Sequence, residues 1–289
     1  MNTVNKPDWL CDFASSVTSH CGEDGILEKI FEILPSQQER WCVEFGAHDG
    51  KSASNTWDLL ANKGWYGVLI EANTKRFKQA CTTHKNNPRV FPIKKYVSFE
   101  GASSLDNILT TTPIPQDFDL LSIDVDGCDY YVWESIRAYK PKVVVIEINP
   151  SIPIDVEFVQ KKDFRVNQGN SILSLTKLAK DKGYELIAAT HENAIYVLKE
   201  LFNLFAIGDN SIAAIYTCRM EEVKLFHLFD GTVVLSRPTQ LIWHGLKIKP
   251  TQLQVLPKLL RVFPNGSGIV SFFWKALLLI RNRLRRAQQ

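Results

Sequence analysis

The 289-residue sequence predicts an α/β protein. Its core is a mostly parallel sheet with crossover helices, ending in an antiparallel hairpin and followed by a mainly helical C-terminal appendage. Three observations carry this. Short apolar runs alternate with stretches of helical spacing, which is how a parallel sheet reads in sequence. The runs 184–189 and 194–198 are separated by a tight polar turn at His191, Glu192 and Asn193, as in a hairpin. After Leu201 the alternation stops.

Each element follows in order. Residues 25–34 have amphipathic helical spacing, closed by Pro35. Residues 41–45 are a short apolar strand running into Gly46. Residues 54–63 read as a helix ended by Gly64, 66–70 as the second strand and 75–84 as the next helix. Residues 90–96 form a third strand, and 120–123 a fourth that enters an acidic turn. Residues 143–148 are almost all β-branched, as expected of a strand buried on both faces. Residues 172–182 form a helix stopped by Gly183, and the hairpin follows. Residues 220–265 read as short helices and loops broken by Pro238, Pro250, Pro257 and Pro264. The expected domains are therefore 1–202, an appendage over 203–267 and a tail helix over 268–289.

The sharpest motif is Glu44-Phe-Gly46-Ala-His48-Asp49-Gly50, directly after the first strand. Glycines there allow a tight turn and close backbone approach to a ligand. A dinucleotide fingerprint seats a pyrophosphate and needs a middle glycine that this segment lacks. An acid beside the turn would repel a pyrophosphate but suits a cation. S-adenosylmethionine carries an ammonium and a sulfonium and no phosphate, so its chemistry fits. Glu71, at the end of the second strand, offers a carboxylate to paired ribose hydroxyls. Asn73, His48 and Asp124 are placed with the same ligand. Each residue has a plainer reading: Gly46 and Gly50 as a simple turn, Glu71 as a cap, His48 as an exposed loop side chain. Their conjunction at adjacent strand ends favours the nucleoside site.

These stretches resemble the FkbM-like methyltransferases over residues 19–202. The resemblance rests on SHCGEDGILEKIF (19–31), VEFGAHDGKSASNT (43–56), GWYGVLIEAN (64–73), LLSIDVDGCDYYVWESI (120–136), VVVIEINPSIP (143–153) and KGYELIAATHENAIYVLKELF (182–202). It implies a Rossmann-type methyltransferase fold with a seven-stranded sheet. It further implies S-adenosylmethionine as cofactor and O-methylation of small molecules or sugars. On that pattern Glu44, Gly46 and Gly50 surround the methionine part and Glu71 the ribose. One departure is Asp126, where the family often has Glu.

Asp124, Asp126 and Asp129 cluster after the fourth strand, and Glu147 and Asn149 end the fifth. Oxygen ligands of this kind suit Mg²⁺ or Mn²⁺, so Asp124, Glu147 and Asn149 form a candidate metal set. Without a metal, Asp124 or Glu147 is the candidate general base. Asp124 also reads as a helix cap and Asp126-Gly127 as a turn.

Composition narrows the function. At 45% hydrophobic and 22% charged, the chain is of ordinary globular type. Its six cysteines form no CxxC pair and no zinc-ligand spacing, which is expected of reduced thiols in the cytosol. From Lys247 onward there are nine Lys or Arg and no acid. The net charge of +3 therefore leaves −6 to everything before it. An acidic body argues against nucleic acid as substrate. The tail over 269–286 places Phe273, Leu277, Ile280 and Leu284 on one helical face, beside Arg281, Arg283, Arg285 and Arg286. It is too short to span a bilayer and is expected either to meet anionic lipid at the inner face of the membrane or to pack on protein. The expected activity is O-methylation of a sugar or glycan hydroxyl in surface polysaccharide or glycolipid synthesis. The alternative is a pseudo-methyltransferase serving as a membrane-attached interaction module.

Overall fold

The computed structural model describes residues 5–35, 39–220, 222–263 and 266–286. The chain forms two compact units, Met1–Met220 and Glu221–Gln289. In the first unit, α1 (Glu23–Ile33) precedes β1 (Trp41–Phe45), α2 (Trp57–Ala61), β2 (Tyr66–Glu71), α3 (Thr74–Thr83) and β3 (Val90–Lys94). Then come α4 (Leu105–Leu109), β4 (Leu120–Ile123), α5 (Asp129–Ser135), β5 (Val143–Glu147), α6 (Ile172–Asp181), β6 (Tyr184–Ala189), β7 (Asn193–Leu198) and α7 (Ile212–Ile215).

The seven strands lie in one sheet in the order β3-β2-β1-β4-β5-β7-β6. Neighbours among the first five are parallel, and β7 runs antiparallel to both β5 and β6. This is the mostly parallel sheet with a terminal antiparallel hairpin that the sequence predicts, the Rossmann-type methyltransferase arrangement. Val143 to Ile146 are wholly buried, as a β-branched central strand should be. The strand order reverses direction between β1 and β4. The carboxyl ends of parallel strands at such a switch point form a crevice.

Some boundaries differ from expectation. Helix α2 starts only at Trp57 because Ser54, Asn55 and Thr56 hydrogen-bond Glu44. The expected boundary at residue 202 falls inside the first unit, because Phe205, Ile207, Ile215 and Tyr216 are buried in its core. These apolar residues have no helical or strand period, so sequence alone gave them no partner.

The second unit contains two small antiparallel pairs: β8 (Leu225–His227) with β9 (Val233–Leu235), and β10 (Thr239–Leu241) with β11 (Leu246–Ile248). Three-residue strands carry too little periodicity to read, and none was expected. Helix α8 (Ile269–Arg286) follows. Ser271 Oγ donates to Phe263 O at 2.9 Å, and Trp274 Nε1 donates to Leu260 O at 3.0 Å. These bonds tie the start of α8 to its own unit. The four tail arginines have side chains outside the described set. Among the described residues, no helix is long and apolar enough to cross a membrane.

Candidate active site at the strand tips

The loop after β1 is held by main-chain bonds from Gly46 and Ala47 to Ile70 O, at 3.1 and 3.2 Å. Gly46 has φ +78°, and a Cβ there would stand 1.7 Å from Asp124 O. Only glycine lets the loops after β1 and β4 touch, so Gly46 joins the two sides of the crevice. Gly50 sits elsewhere. It turns at φ +76° against His84 and Ala80, and its carbonyl meets His84 Nε2 at 2.8 Å. It shapes the loop by packing on α3. His48, Ala53 and Asp126 are also at positive φ, at 49°, 56° and 59°. Three such non-glycine residues in the loops after β1 and β4 concentrate backbone strain there, as functional sites do.

Glu71 is 7% exposed, and each of its oxygens takes one main-chain N–H: His48 N at 2.9 Å and Asn73 N at 2.6 Å. It thus orders the loop that carries His48. Asn73 caps α3, its Oδ1 accepting from Lys75 N and Arg76 N. Its side-chain oxygen is occupied by that cap.

Glu44 is placed deeper than the sequence suggests. It is 5% exposed, and its carboxylate accepts from Ser54 Oγ at 2.6 Å, Thr56 Oγ1 at 2.8 Å and Asn55 N at 2.9 Å. Burial pushes its carboxyl above the usual range against those three bonds, and the charge of Asp24 pushes the same way. Asp24 Oδ2 accepts from the N–H groups of Val17, Thr18 and Ser19, at 2.7–2.8 Å. Its Oδ1 is buried without a donor. A buried carboxylate oxygen with no donor fits a cationic group. Asp24 and the Ser54–Thr56 set escape a sequence reading because no spacing connects them to Glu44.

On the acceptor side, Asp124, Asp126 and Glu147 each bring one carboxylate oxygen within 4.8 Å of the others. Asp129 is buried and holds their loop, accepting from Val125 N and Gly127 N at 2.8 Å each. Asn149 does not join the cluster as expected of a ligand. Its Oδ1 accepts from Ser151 N and Oγ, and its Nδ2 donates to Gln168 O, so its amide is spent on its own loop. Asp126 takes that place. Asp124 and Asp126 are exposed and Glu147 is half-buried. Lost hydration, then the charges of Asp129, Asp126, Glu44 and Glu192, push the Asp124 carboxyl up to about 7. Lost hydration, then the charges of Asp124, Asp129, Asp126 and Glu192, push Glu147 up to about 10. The β6–β7 turn reaches this cluster, with Ile148 N donating to Glu192 O at 2.8 Å.

Comparisons with known proteins give distant likenesses among solved structures. No protein-family model and no curated protein matches the sequence. Among solved structures, the chain is similar to the CMeT domain of the citrinin polyketide synthase (14% identity, 61% of this chain, 51% of that one, TM-score 0.39). It is similar to a SAM-dependent methyltransferase from Aquifex aeolicus (11%, 59% and 87%, TM-score 0.37). It is also similar to Aeropyrum pernix fibrillarin with natively bound S-adenosyl-L-methionine (17%, 57% and 69%, TM-score 0.40). The chain spans about half the length of the citrinin structure, 51%. Likeness at this level assigns no residue a role.

Proposed function

We propose that this chain is an S-adenosylmethionine-dependent methyltransferase of the FkbM-like kind, acting on a hydroxyl of a sugar or glycan. The observation that carries the reading is four acids at or just beyond the carboxyl ends of neighbouring parallel strands, Glu44 and Glu71 on β1 and β2 and Asp124 and Glu147 on β4 and β5, whose charge suits a cationic, phosphate-free nucleoside. Glu71 keeps acceptor capacity for ribose hydroxyls beyond its two main-chain bonds. Asp24 Oδ1, on an acid whose charge bears on Glu44, is the acceptor for the methionine ammonium. The cofactor supplies an electrophilic methyl on sulfur.

Held by Glu71 and Asp24, the cofactor would supply the methyl group for a new C–O bond on the acceptor hydroxyl. The hydroxyl proton goes to Asp124, whose carboxyl titrates near neutrality as a general base should. Glu147, raised further, holds its proton at the same pH. Positioning of the two reactants supplies most of the rate. A second reading rests on the three crowded carboxylates: Asp124, Asp126 and Glu147 fit Mg²⁺ or Mn²⁺, which would polarise the acceptor hydroxyl. The acceptor class comes from the sequence resemblance.

Calorimetric titration with S-adenosylhomocysteine, with and without Mg²⁺, tests this. The wild type is expected to bind, and Glu71→Ala to bind at least about tenfold more weakly, the loss of one or two charge-assisted hydrogen bonds. Enhancement by Mg²⁺ that disappears in Asp126→Asn favours the metal reading. No binding by the wild type at millimolar ligand overturns the proposal and leaves the interaction-module alternative.

A further inference from the structure

Apart from the carboxylate cluster, a second group of metal-type ligands lies between the loop before α1 and the β6–β7 turn. His20, Cys21 and Glu192 each present one donor atom, and the three atoms lie within 4.8 Å of one another. His20 Nδ1 stands 2.8 Å from Glu192 Oε2, and Cys21 Sγ stands 3.8 Å from the same oxygen. Bond lengths of roughly 2.0–2.3 Å to a tetrahedral zinc ion separate neighbouring donors by about 3–4 Å, so little movement is needed.

The scaffold beneath is already fixed. Glu23 is wholly buried, and its Oε1 accepts from Thr190 Oγ1 at 2.5 Å and from Asn193 Nδ2 at 2.9 Å. Its Oε2 accepts from Cys21 N at 2.8 Å. One carboxylate thus pins the segment carrying Cys21 to the turn carrying Glu192, although some 170 residues separate them in sequence. Tyr216 OH donates to His191 O at 3.0 Å and steadies the same turn. Ligands held by a rigid second layer are what a selective metal site requires.

We propose that His20, Cys21 and Glu192 bind a zinc-class divalent cation. The donor set is one nitrogen, one sulfur and one oxygen, which favours Zn²⁺ or Co²⁺ over the hard cations suited to Asp124, Asp126 and Glu147. Binding converts the Cys21 thiol to thiolate and releases its proton to solvent. Three protein donors leave one position for water or for an acceptor oxygen. The site stands independently of the methyl-transfer reading.

The test titrates Co²⁺ and then Zn²⁺ into the reduced full-length protein, followed by absorbance and calorimetry. One equivalent of Co²⁺ is expected to give a sulfur-to-cobalt charge-transfer band that Zn²⁺ abolishes. Cys21→Ser should lose the band, and His20→Ala and Glu192→Gln should bind at least about tenfold more weakly. Cys218→Ser and Asp126→Asn should leave it unchanged. His20 is a surface side chain, so its variant keeps the fold, which melting curves verify. Absence of the band in the wild type, its survival in Cys21→Ser, or its equal loss in Cys218→Ser overturns the proposal.

Discussion

At the scale of single residues, the site is a set of acids held under strain rather than a set of free hooks. Asp124 illustrates the cost. Its folded carboxyl binds a proton more tightly than the unfolded chain does, at about 7 against a usual 3.8. The stability it contributes is therefore full below the unfolded value and lost as pH rises through about 7. Asp124→Asn should change the melting temperature little near pH 4. At pH 8 it should raise it by a few degrees, on the order of 1 kcal/mol once solvent screening is allowed for. The same variant should lower methyl transfer by about 10²–10⁴-fold, as loss of a general base does. Melting curves at both pH values check the first part, and an unchanged or lowered melting temperature at pH 8 would contradict the strain. Gly46, Glu71 and Asp124 were legible because each sits where a strand pattern breaks into a turn. Asp24 and Glu23 were not: both precede the stretch of helical spacing at 25–34, and their partners are brought by the fold. Asn149 misled because its position resembles a ligand's while its amide is satisfied locally.

At the scale of elements, the strands were read well because a sheet buried on both faces leaves uninterrupted apolar runs. The short helices α4 and α5 were missed, each too brief for a periodic signal. Helix α8 was legible from its spacing, and the fold adds its environment. Ile269, Phe272, Phe273, Leu277, Leu279 and Ile280 are all more than half exposed. Six large apolar side chains on one helix, within a segment of nine basic residues and no acid, suit an anionic lipid interface. The protein is expected to float with vesicles containing phosphatidylserine and to stay unbound with neutral ones at physiological salt. Replacing Phe272 and Phe273 together by Asp should weaken binding by at least about tenfold, since two aromatic side chains supply a few kcal/mol of burial. Equal flotation of the double variant would show that the helix does not enter the interface.

At the scale of the whole molecule, the chain divides near residue 220. Every residue of the crevice lies in Met1–Met220, and so do the buried residues 205–216 that complete its core. The exposed apolar helix lies in Glu221–Gln289. Sequence placed this boundary near 202 because the strand–helix alternation ends there, whereas the core closes later, on side chains with no regular spacing. A chain of residues 1–220 keeps the whole sheet and buries enough surface to fold alone. It should unfold in a single cooperative transition and bind S-adenosylhomocysteine within about threefold of the full chain, while losing vesicle flotation entirely. A chain cut at 202 should lose the buried aromatics Phe205 and Tyr216, each worth about 3–5 kcal/mol in a core, and should fail to fold. Circular dichroism melts and calorimetry on the two fragments decide this. If the longer fragment failed to bind while still folding, the second unit would have to supply part of the site.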